Sequence, residues 1–322
     1  MTATNRRAFV APCAAAAALG STGRALAQAD TTRLVVPFSP GGTSDIVARL
    51  LAAHAGPLAS RIVVDNKAGA SGAIGLRAVA GAPPDGHTLL VGNISTQAIA
   101  PHLHADKGYP GIDVFTPLAL TGRTTNLIVV HPGTGIRDWA DLARHMRGAV
   151  PVSYASGSNG GSPHLSFELL RQRMEWKAEH VAYKGAGPMI SDLLAGHVQI
   201  GIDNLPALLP HVQRGALTPI AVTSARRWPG AEQIPTLAEL GVKDYDVTAW
   251  FGVFGPAGMP PAVAEPIARA FADAQKTEPV RERFAALGAV ADPLTGEAFA
   301  RVVKAQYALW RDVIREGGIR GS

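Results

Sequence analysis

The sequence predicts an α/β protein built from two lobes. From residue 33 onward, short β-branched runs alternate with helical segments, which is the pattern of βα units with mostly parallel sheets. The residues that follow a predicted export leader, 28–322, are more than one hydrophobic core usually fills. After residue 254 the pattern changes, and only helical segments follow.

The predicted strands are β-branched runs bounded by turn residues. They comprise residues 34–36, 62–64, 88–91, 126–130, 150–154, 181–183, 198–202, 219–222 and 247–254. The predicted helices comprise residues 45–59, 137–146, 164–174, 189–195, 205–213, 260–276, 280–287 and 296–315. The last helix carries an apolar stripe at helical spacing, which predicts that it docks onto another layer. The stripe consists of Phe299, Val302, Val303, Tyr307, Trp310 and Ile314.

The order of these elements predicts how the lobes divide the chain. A chain that starts with βα units, crosses over and ends with helices suggests an N-terminal lobe completed by the C-terminus. We expect lobe 1 to comprise residues 28–124 and 252–322, and lobe 2 to comprise residues 125–251. The crossovers near Thr125 and Trp250 would then form a hinge.

The first 27 residues have the features of an export signal. Arg6 and Arg7 form a positive region, and residues 8–20 form an apolar stretch that is too short to span a bilayer, which takes roughly 20 residues. Small residues at Ala25 and Ala27 predict cleavage after Ala27 and a periplasmic location. The arginine pair leaves both Sec and twin-arginine export open.

Composition excludes several classes of function. The sole cysteine, Cys13, lies in the leader, so disulfides, thiolate ligands and a cysteine nucleophile are not expected in the mature chain. Loss of the leader lowers the net charge from +5 to about +2, and Lys and Arg do not cluster, which argues against nucleic-acid binding.

Signatures of enzymes are also missing from the sequence. It contains no nucleophile elbow, no P-loop, no H-E-x-x-H and no G-x-G-x-x-G motif. His102 and His104 form a close pair without acidic or thiol ligands nearby, so we expect them at the surface rather than at a metal. We therefore expect no catalytic residue, metal or cofactor.

The most informative segment is the turn at residues 37–45, between a predicted strand and a predicted helix. Two glycines let the backbone approach a ligand closely, and Thr43 or Ser44 would cap the helix. The free N–H groups and the positive dipole end of the helix make an anion site from backbone alone. The residues expected to contact a ligand here are Phe38, Ser39, Gly41, Gly42 and Thr43.

Two further turns repeat this chemistry in the predicted second lobe. Residues 154–164 are rich in Ser and Gly, with Ser162 suited to the N-cap and Pro163 to the first helical position. Residues 183–188 again join a strand to a helix. The residues expected to contact a ligand here are Ser156, Gly157, Ser162, His164, Tyr183 and Gly185.

Three polar side chains near these turns need separate interpretation. Asp45 suits the dipole of its helix but would repel an anion, so we expect it to hold the loop. His164 stands too close to Ser162 in sequence for a catalytic pair, which favours a capping or ligand-contact role. Asp203 follows a predicted strand and either receives a hydroxyl or ammonium of the ligand or caps the helix at Leu205.

At these turns the chain resembles the Bug receptors, the extracytoplasmic solute-binding subunits of tripartite tricarboxylate transporters. The matching segments are VVPFSPGGT at 35–43, VDNKAGASG at 64–72, PDGHTLL at 84–90, YAS at 154–156, SPHL at 162–165, YKGAGP at 183–188, LLAGHV at 193–198 and WFGV at 250–253. The resemblance implies a type 2 periplasmic-binding-protein fold with two hinged lobes. It also implies a carboxylate ligand held by helix N-termini, backbone amides and water rather than by an arginine clamp.

The resemblance implies a monomeric periplasmic receptor that hands a small carboxylate to membrane transporter subunits. The ligand remains open among di- and tricarboxylates, acidic amino acids and aromatic carboxylates. Two alternatives remain: a sensor that signals to a membrane kinase, and an exported hydrolase or lyase on the same scaffold. The missing nucleophile and metal motifs argue against the enzyme.

Overall fold

The computed structural model describes residues 31–148, 152–316 and 318–319. The predicted leader, with Cys13 and the cleavage site after Ala27, lies outside these residues. Within the described ranges, no helix has both the length and the apolar character needed to cross a membrane.

The strands follow the predicted order with shifted ends. They are β1 Thr32–Val36, β2 Ile62–Asn66, β3 Thr88–Asn93, β4 Phe115–Val130, β5 Val152–Ser156, β6 Ala178–Ala182, β7 Ile200–Asn204, β8 Thr218–Val222 and β9 Thr248–Pro256.

The helices pack on both faces of the strands. They are α1 Thr43–Ala53, α2 Ala73–Ala80, α3 Ala100–Leu103, α4 Trp139–Met146, α5 Ser162–Arg173, α6 Ala186–Leu194, α7 Leu205–Gln213, α8 Pro261–Ala274, α9 Glu278–Leu287 and α10 Gly296–Glu316. A π-helical turn, Ser95–Ile99, follows β3.

The strands of the described chain form one sheet in the order β2-β1-β3-β9-β4-β7-β5-β6, with β8 also paired to β4. Within each half of the sheet β1 pairs parallel to β2 and β3, and β5 pairs parallel to β6 and β7. Every pairing made by β4 or β9 is antiparallel. The prediction of mostly parallel sheets is therefore wrong for the centre, where the long strands β4 and β9 pair antiparallel to their neighbours.

Strand β4 joins the two halves of the sheet. Its first part, as far as Thr125, pairs with β9, and from Asn126 onward it pairs with β7 and β8. Strand β9 begins at Thr248, directly opposite Thr125. Because β4 runs through both halves, residues from Thr32 onward form one compact unit.

A shared hydrophobic core explains why the C-terminal helices return to the first half. The α10 stripe is confirmed as a packing face, because Phe299, Val303, Trp310 and Ile314 are buried. The Phe299 ring packs edge-on against Trp250, with ring centroids 5.8 Å apart.

Several predicted boundaries are wrong for local reasons. The helix expected over 45–59 ends at Ala53, because Gly56 takes a left-handed φ of +54° and begins a separate 3₁₀ turn with Pro57 as its second residue. The strand expected over 126–130 is the end of the sixteen-residue β4. Helix α2 was not predicted at all.

Candidate functional site

Four helices of the described chain begin around one small cavity at the carboxyl ends of the strands. It is lined by Thr43 at the start of α1, Pro163 in the first turn of α5, Ala186 at the start of α6 and Asn204, which precedes α7. Unpaired N–H groups and the positive dipole end gather at each helix N-terminus. The central cavity measures about 30 Å³, the scale of a few waters or one carboxylate group.

The first residues of α1 leave their polar groups free for this cavity. Gly42 is the N-cap and makes no side-chain cap bond, so the expectation that Thr43 or Ser44 caps the helix is wrong. Thr43 is instead the first helical residue, 3% exposed, and its hydroxyl has no hydrogen-bond partner. A buried hydroxyl without a partner is costly unless a ligand or water satisfies it.

Asp45 holds the turn before α1, as expected. Its carboxylate accepts hydrogen bonds from the Gly41 backbone N–H at 3.0 Å and from the Asn66 amide at 3.0 Å. The Arg49 guanidinium lies 3.0 Å from the same carboxylate. Burial raises the pKa of Asp45, but the bonds from Arg49, Gly41 and Asn66 outweigh it, and the pKa lies below its ordinary value. The charge of Asp45 is thus offset by Arg49 on the same helix.

Side-chain hydrogen bonds hold the second turn, residues 154–164, in place. The N-cap of α5 is Gly161, with Ser162 as the first helical residue, so the assignment of Ser162 to the cap is wrong. The Ser162 hydroxyl is buried without a partner, while its N–H donates to the Ser95 hydroxyl at 2.9 Å. His164 accepts a hydrogen bond from the Gly160 N–H through Nδ1 at 2.9 Å, which is a capping role.

The Ser156 side chain lies in the protein interior. It is completely buried, its hydroxyl donates to the Ser158 carbonyl at 3.0 Å, and the same hydroxyl lies 2.7 Å from Nε2 of His180. The neighbours Gly157 and Ser158 line the central cavity instead. The role of Ser156 in the structure is to shape this turn.

A stacked histidine pair supports the same turn. The rings of His164 and His180 stack nearly parallel, with their centroids 3.8 Å apart. Burial lowers the pKa of His164 to about 4, and burial together with the charge of His164 lowers the pKa of His180 to about 3. Both rings are therefore neutral at physiological pH and pack as flat, partly apolar groups.

The third turn meets the first in direct backbone contact. The backbone N–H and the hydroxyl of Ser39 both donate to the Lys184 carbonyl, at 3.1 and 2.9 Å. Glycines make this approach possible, since a Cβ on Gly185 would lie 2.8 Å from the Ser39 nitrogen and one on Gly187 would lie 2.2 Å from the Pro40 carbonyl oxygen. Turns from the two halves of the sheet are thus closed over the cavity.

Asp203 is buried beside the central cavity at 5% exposure. It accepts hydrogen bonds from the Gly157 N–H at 3.1 Å and the Asn204 N–H at 2.8 Å. Burial raises the pKa of Asp203 to about 6, against the lowering effect of these two bonds. It lies within β7 and does not cap α7, whose N-cap Asn204 makes no side-chain cap bond. Of the two roles expected for Asp203, the helix cap is therefore wrong.

A second cavity of about 170 Å³ opens beside the first. It is lined by Phe38, Tyr183, Lys184 and the turn 69–72, which faces Gly157 and Ser158. Four consecutive residues of that turn, 69–72, have positive φ, including Ala70 at +48° and Ser71 at +54°. Such strained backbone concentrates at functional sites. The Ser71 hydroxyl donates to the Asn159 carbonyl at 2.9 Å and so joins the two halves.

A larger open hollow of about 540 Å³ lies elsewhere, lined by residues such as His145 and His197. It meets β5 and β7 at their first residues, Val152 and Ile200. Ligand sites in α/β sheets lie at the carboxyl ends of strands, and this hollow is at the opposite end. The small central cavity is therefore the better candidate.

His102 and His104, the pair expected at the surface, have different surroundings in the structure. His104 is 6% exposed and packs with Leu103 against Gly160, so the surface prediction is wrong for it. His102 bonds through Nε2 to the Tyr307 carbonyl at 2.9 Å. The described residues contain no group of three or more His, Cys, Asp or Glu able to hold a metal ion.

The structure brings about half of the predicted site residues to the central cavity: Phe38, Gly42, Thr43, Gly157, Gly185 and Asp203. Tyr183 lines the second cavity, and its hydroxyl donates to Asp192 at 2.7 Å. Ser39 and Gly41 lie where the two turns touch. Sequence reasoning missed Asn93, Ser95 and Ser158, which also line the central cavity; the end of a predicted strand just before Asn93 was the available signal.

Known proteins resemble the chain over most of its length. It matches the family described as Tripartite tricarboxylate transporter family receptor over residues 47–319. Protein BugT of Bordetella pertussis is 32% identical over 292 residues, covering 89% of both chains. A protein in the tcbD-tcbE intergenic region of a Pseudomonas strain is 33% identical over 285 residues, covering 88% of this chain and 84% of the relative.

Solved structures agree with this assignment. The periplasmic binding protein BugD is 29% identical with a TM-score of 0.86, covering 91% of this chain and 99% of its own. A Rhodopseudomonas palustris protein with adipate is 34% identical with a TM-score of 0.86, covering 90% and 98%. MatC from the same organism, with bound malate, is 29% identical with a TM-score of 0.81, covering 88% and 98%.

These likenesses confirm the periplasmic-binding-protein fold and the expectation of a receptor rather than an enzyme. The proteins of this family are periplasmic solute receptors that work with tripartite transporter components. The chain belongs to the tripartite tricarboxylate transporter family of receptors.

Proposed function

We propose that this chain captures a small carboxylate between its two lobes and delivers it unchanged to membrane subunits of a tripartite transporter. The observation that carries the proposal is the central cavity, where four helices of the described chain begin and no Lys or Arg lines the walls. A charge near a helix N-terminus is stabilised by about 0.3–1 kcal/mol, so four termini contribute about 1–4 kcal/mol. Related structures that hold adipate and malate support this ligand class.

The ligand-contacting groups in this proposal are mostly backbone N–H groups and hydroxyls. The Thr43 hydroxyl is buried without a partner in the wall of the central cavity, so it is available to a carboxylate or to waters around it. The Ser162 hydroxyl also has no partner but lines neither cavity. Gly42, Gly157 and Gly185 admit the ligand close to the backbone. Phe38 and Tyr183 line the route from the second cavity, which would take the remainder of the ligand.

We further propose that residues 28–124 and 252–322 form lobe 1, that residues 125–251 form lobe 2, and that the lobes hinge within β4 and β9 near Thr125 and Trp250. The point at which β4 changes its pairing partners supports this division. Hydrogen bonds between distant turns, such as Ser39 to Lys184, would form only on closure. A ligand shifts the open–closed equilibrium through contacts that only the closed form makes.

The location and assembly follow from the same proposal. The leader would be cleaved after Ala27 to release a monomeric receptor into the periplasm, where transporter subunits meet the closed form. Mass spectrometry of the exported protein would check the cleavage site, and light scattering would check the monomer.

A thermal-shift screen of residues 28–322 tests the ligand class. Mono-, di- and tricarboxylates, together with acidic amino acids, would be compared with amines and sugars of similar size. A ligand at 100 times its Kd stabilises the folded protein by about 2.7 kcal/mol. Stabilisation by sugars or amines, with no response to any carboxylate, would refute the proposed function.

A further inference from the structure

Asp203 is the sole ionisable side chain among the described residues that line the central cavity. The other lining groups include Thr43, Ser44, Ser95 and Ser158, which carry hydroxyls. Each Asp203 oxygen accepts one backbone N–H, from Gly157 or Asn204, and each keeps further lone pairs for a second partner. A site built to attract an anion thus contains a carboxyl group of its own.

No cation within the described chain offsets this carboxyl group. No ion pair of Asp203 occurs among those residues, and burial raises its pKa to about 6. Desolvation disfavours the charged form of a carboxyl group. Asp203 is therefore poised to take up a proton near neutral pH.

The elements packed around Asp203 carry other titratable groups. On α1, Asp45 is paired with Arg49, and its pKa lies below the ordinary value. On α5, burial lowers the pKa of His164 to about 4, and behind the turn the pKa of His180 is lowered to about 3. Before α6, Lys184 is exposed.

His104, from the first half of the sheet, lies beside Gly160 in the turn before α5. Burial lowers the pKa of His104 as well. On the strand beside β7, Leu127 of β4 is opposite Asp203, and it is apolar.

The cavity is so small that a ligand carboxylate inside it would lie within a few ångströms of Asp203. Two carboxylates that share one site do not both ionise, and the pair holds one proton between them. Resting on the function proposed above, we propose that the receptor binds its ligand together with one proton on Asp203. The neutral carboxyl group donates a hydrogen bond to the ligand carboxylate, and the proton comes from the solvent.

This coupling has a definite sign. Above the pKa of Asp203 in the free receptor, binding takes up one proton, and Kd rises about ten-fold for each unit of pH. An ionised Asp203 that recognised a ligand ammonium group would take up no proton above this pKa and would give a flat profile there. A proton on Asp203 would thus let the receptor select ligands by the charge of the group that they place in the central cavity.

Isothermal titration calorimetry between pH 6.5 and 8.5 tests the proposal with malate, adipate and any other carboxylate that responds in the thermal-shift screen. Titrations in two buffers with different ionisation enthalpies report the number of protons taken up. We expect close to one proton per ligand at pH 8 and a Kd about a hundred-fold higher at pH 8.5 than at pH 6.5. Carboxylate binding with no proton uptake and a flat pH profile would overturn this inference and leave the proposed function standing.

The Asp203→Asn variant identifies the group that holds the proton. Its amide oxygen still accepts from a backbone N–H, and its amide nitrogen donates at every pH. We expect this variant to bind with a nearly flat pH profile. The control is Asp113→Asn, which removes an exposed carboxylate and should keep the pH dependence of the parent. A slope that persists in Asp203→Asn would assign the proton to another group, such as His104, and would overturn the inference.

Two remaining outcomes are equally decisive. If Asp203→Asn does not fold by circular dichroism, the proton count of the parent protein alone confirms or refutes the coupling. If no carboxylate binds at any pH, the proposed function fails and this inference fails with it.

Discussion

Replacing Gly187 with alanine separates closure of the lobes from stability of the fold. Gly187 lies in the first turn of α6 and does not have a positive φ, so alanine suits its backbone. In the free protein a helical Gly→Ala change stabilises by about 0.4–1 kcal/mol. The new methyl group would, however, lie 2.2 Å from the Pro40 carbonyl oxygen across the closed turns.

The size of the effect follows from that distance. A carbon and an oxygen need about 3.3 Å, so the turns must separate by about 1 Å. The two bonds from Ser39 to the Lys184 carbonyl are 3.1 and 2.9 Å long and would be stretched beyond hydrogen-bonding range. At about 1 kcal/mol each, their loss weakens the closed state by about 2 kcal/mol, or about thirty-fold in Kd.

Calorimetry with the best carboxylate and thermal unfolding without it measure the two effects separately. Gly111→Ala is the matched control, because a Cβ there meets nothing within 4 Å and φ is negative. We expect weaker binding and a slightly higher unfolding temperature for Gly187→Ala only. Unchanged affinity would show that the contact between these turns is not part of the ligand-bound state.

Three further predictions address other parts of the structure. Thr43→Val removes the unpartnered hydroxyl, so binding should weaken by about 0.5–1.5 kcal/mol while the thermal stability of the free protein holds or rises. Equal losses of binding and of stability would contradict a ligand-facing role for Thr43. Because the folded pKa values of His164 and His180 are lowered, their contribution to stability is present above about pH 6.5 and is lost as pH falls toward 4 and 3. Thermal unfolding between pH 7 and 4.5 should therefore show a smaller decline for His180→Gln than for the parent, and identical declines would exclude the pair. Phe299→Ala should destabilise by about 3–5 kcal/mol in urea unfolding, and a loss under 1 kcal/mol would contradict docking of α10 through this ring.

Local chemistry made parts of the site predictable. The Gly-Gly turn before α1 was recognised because glycine adopts turn conformations closed to other residues, and glycine and hydroxyl residues between a strand and a helix are typical of turns. The role of Asp45 followed from its position in the first helical turn, and the structure confirms it. The stripe on α10 followed from helical spacing alone.

Other features depended on packing that no local pattern carries. Ser162 looked like a helix cap, yet Gly161 occupies that position and the Ser162 N–H donates to Ser95, 67 residues away. Ser156 was expected to contact the ligand, but in the structure its hydroxyl lies beside the ring of His180. In the turn 69–72, Ala70 and Ser71 take positive φ angles that their side chains do not favour.

The sequence by itself determined the alternation of strands and helices, the glycine-rich turns at strand ends and the family to which the chain belongs. These features depend on backbone sterics and short-range spacing, which a few neighbouring residues decide. The tertiary structure alone decided that Ser39 meets Lys184 across 145 residues and that Asp203 is buried where four helices begin. Burial and the approach of distant backbone groups set hydrogen bonding and ionisation, so these properties arise only once the chain has folded.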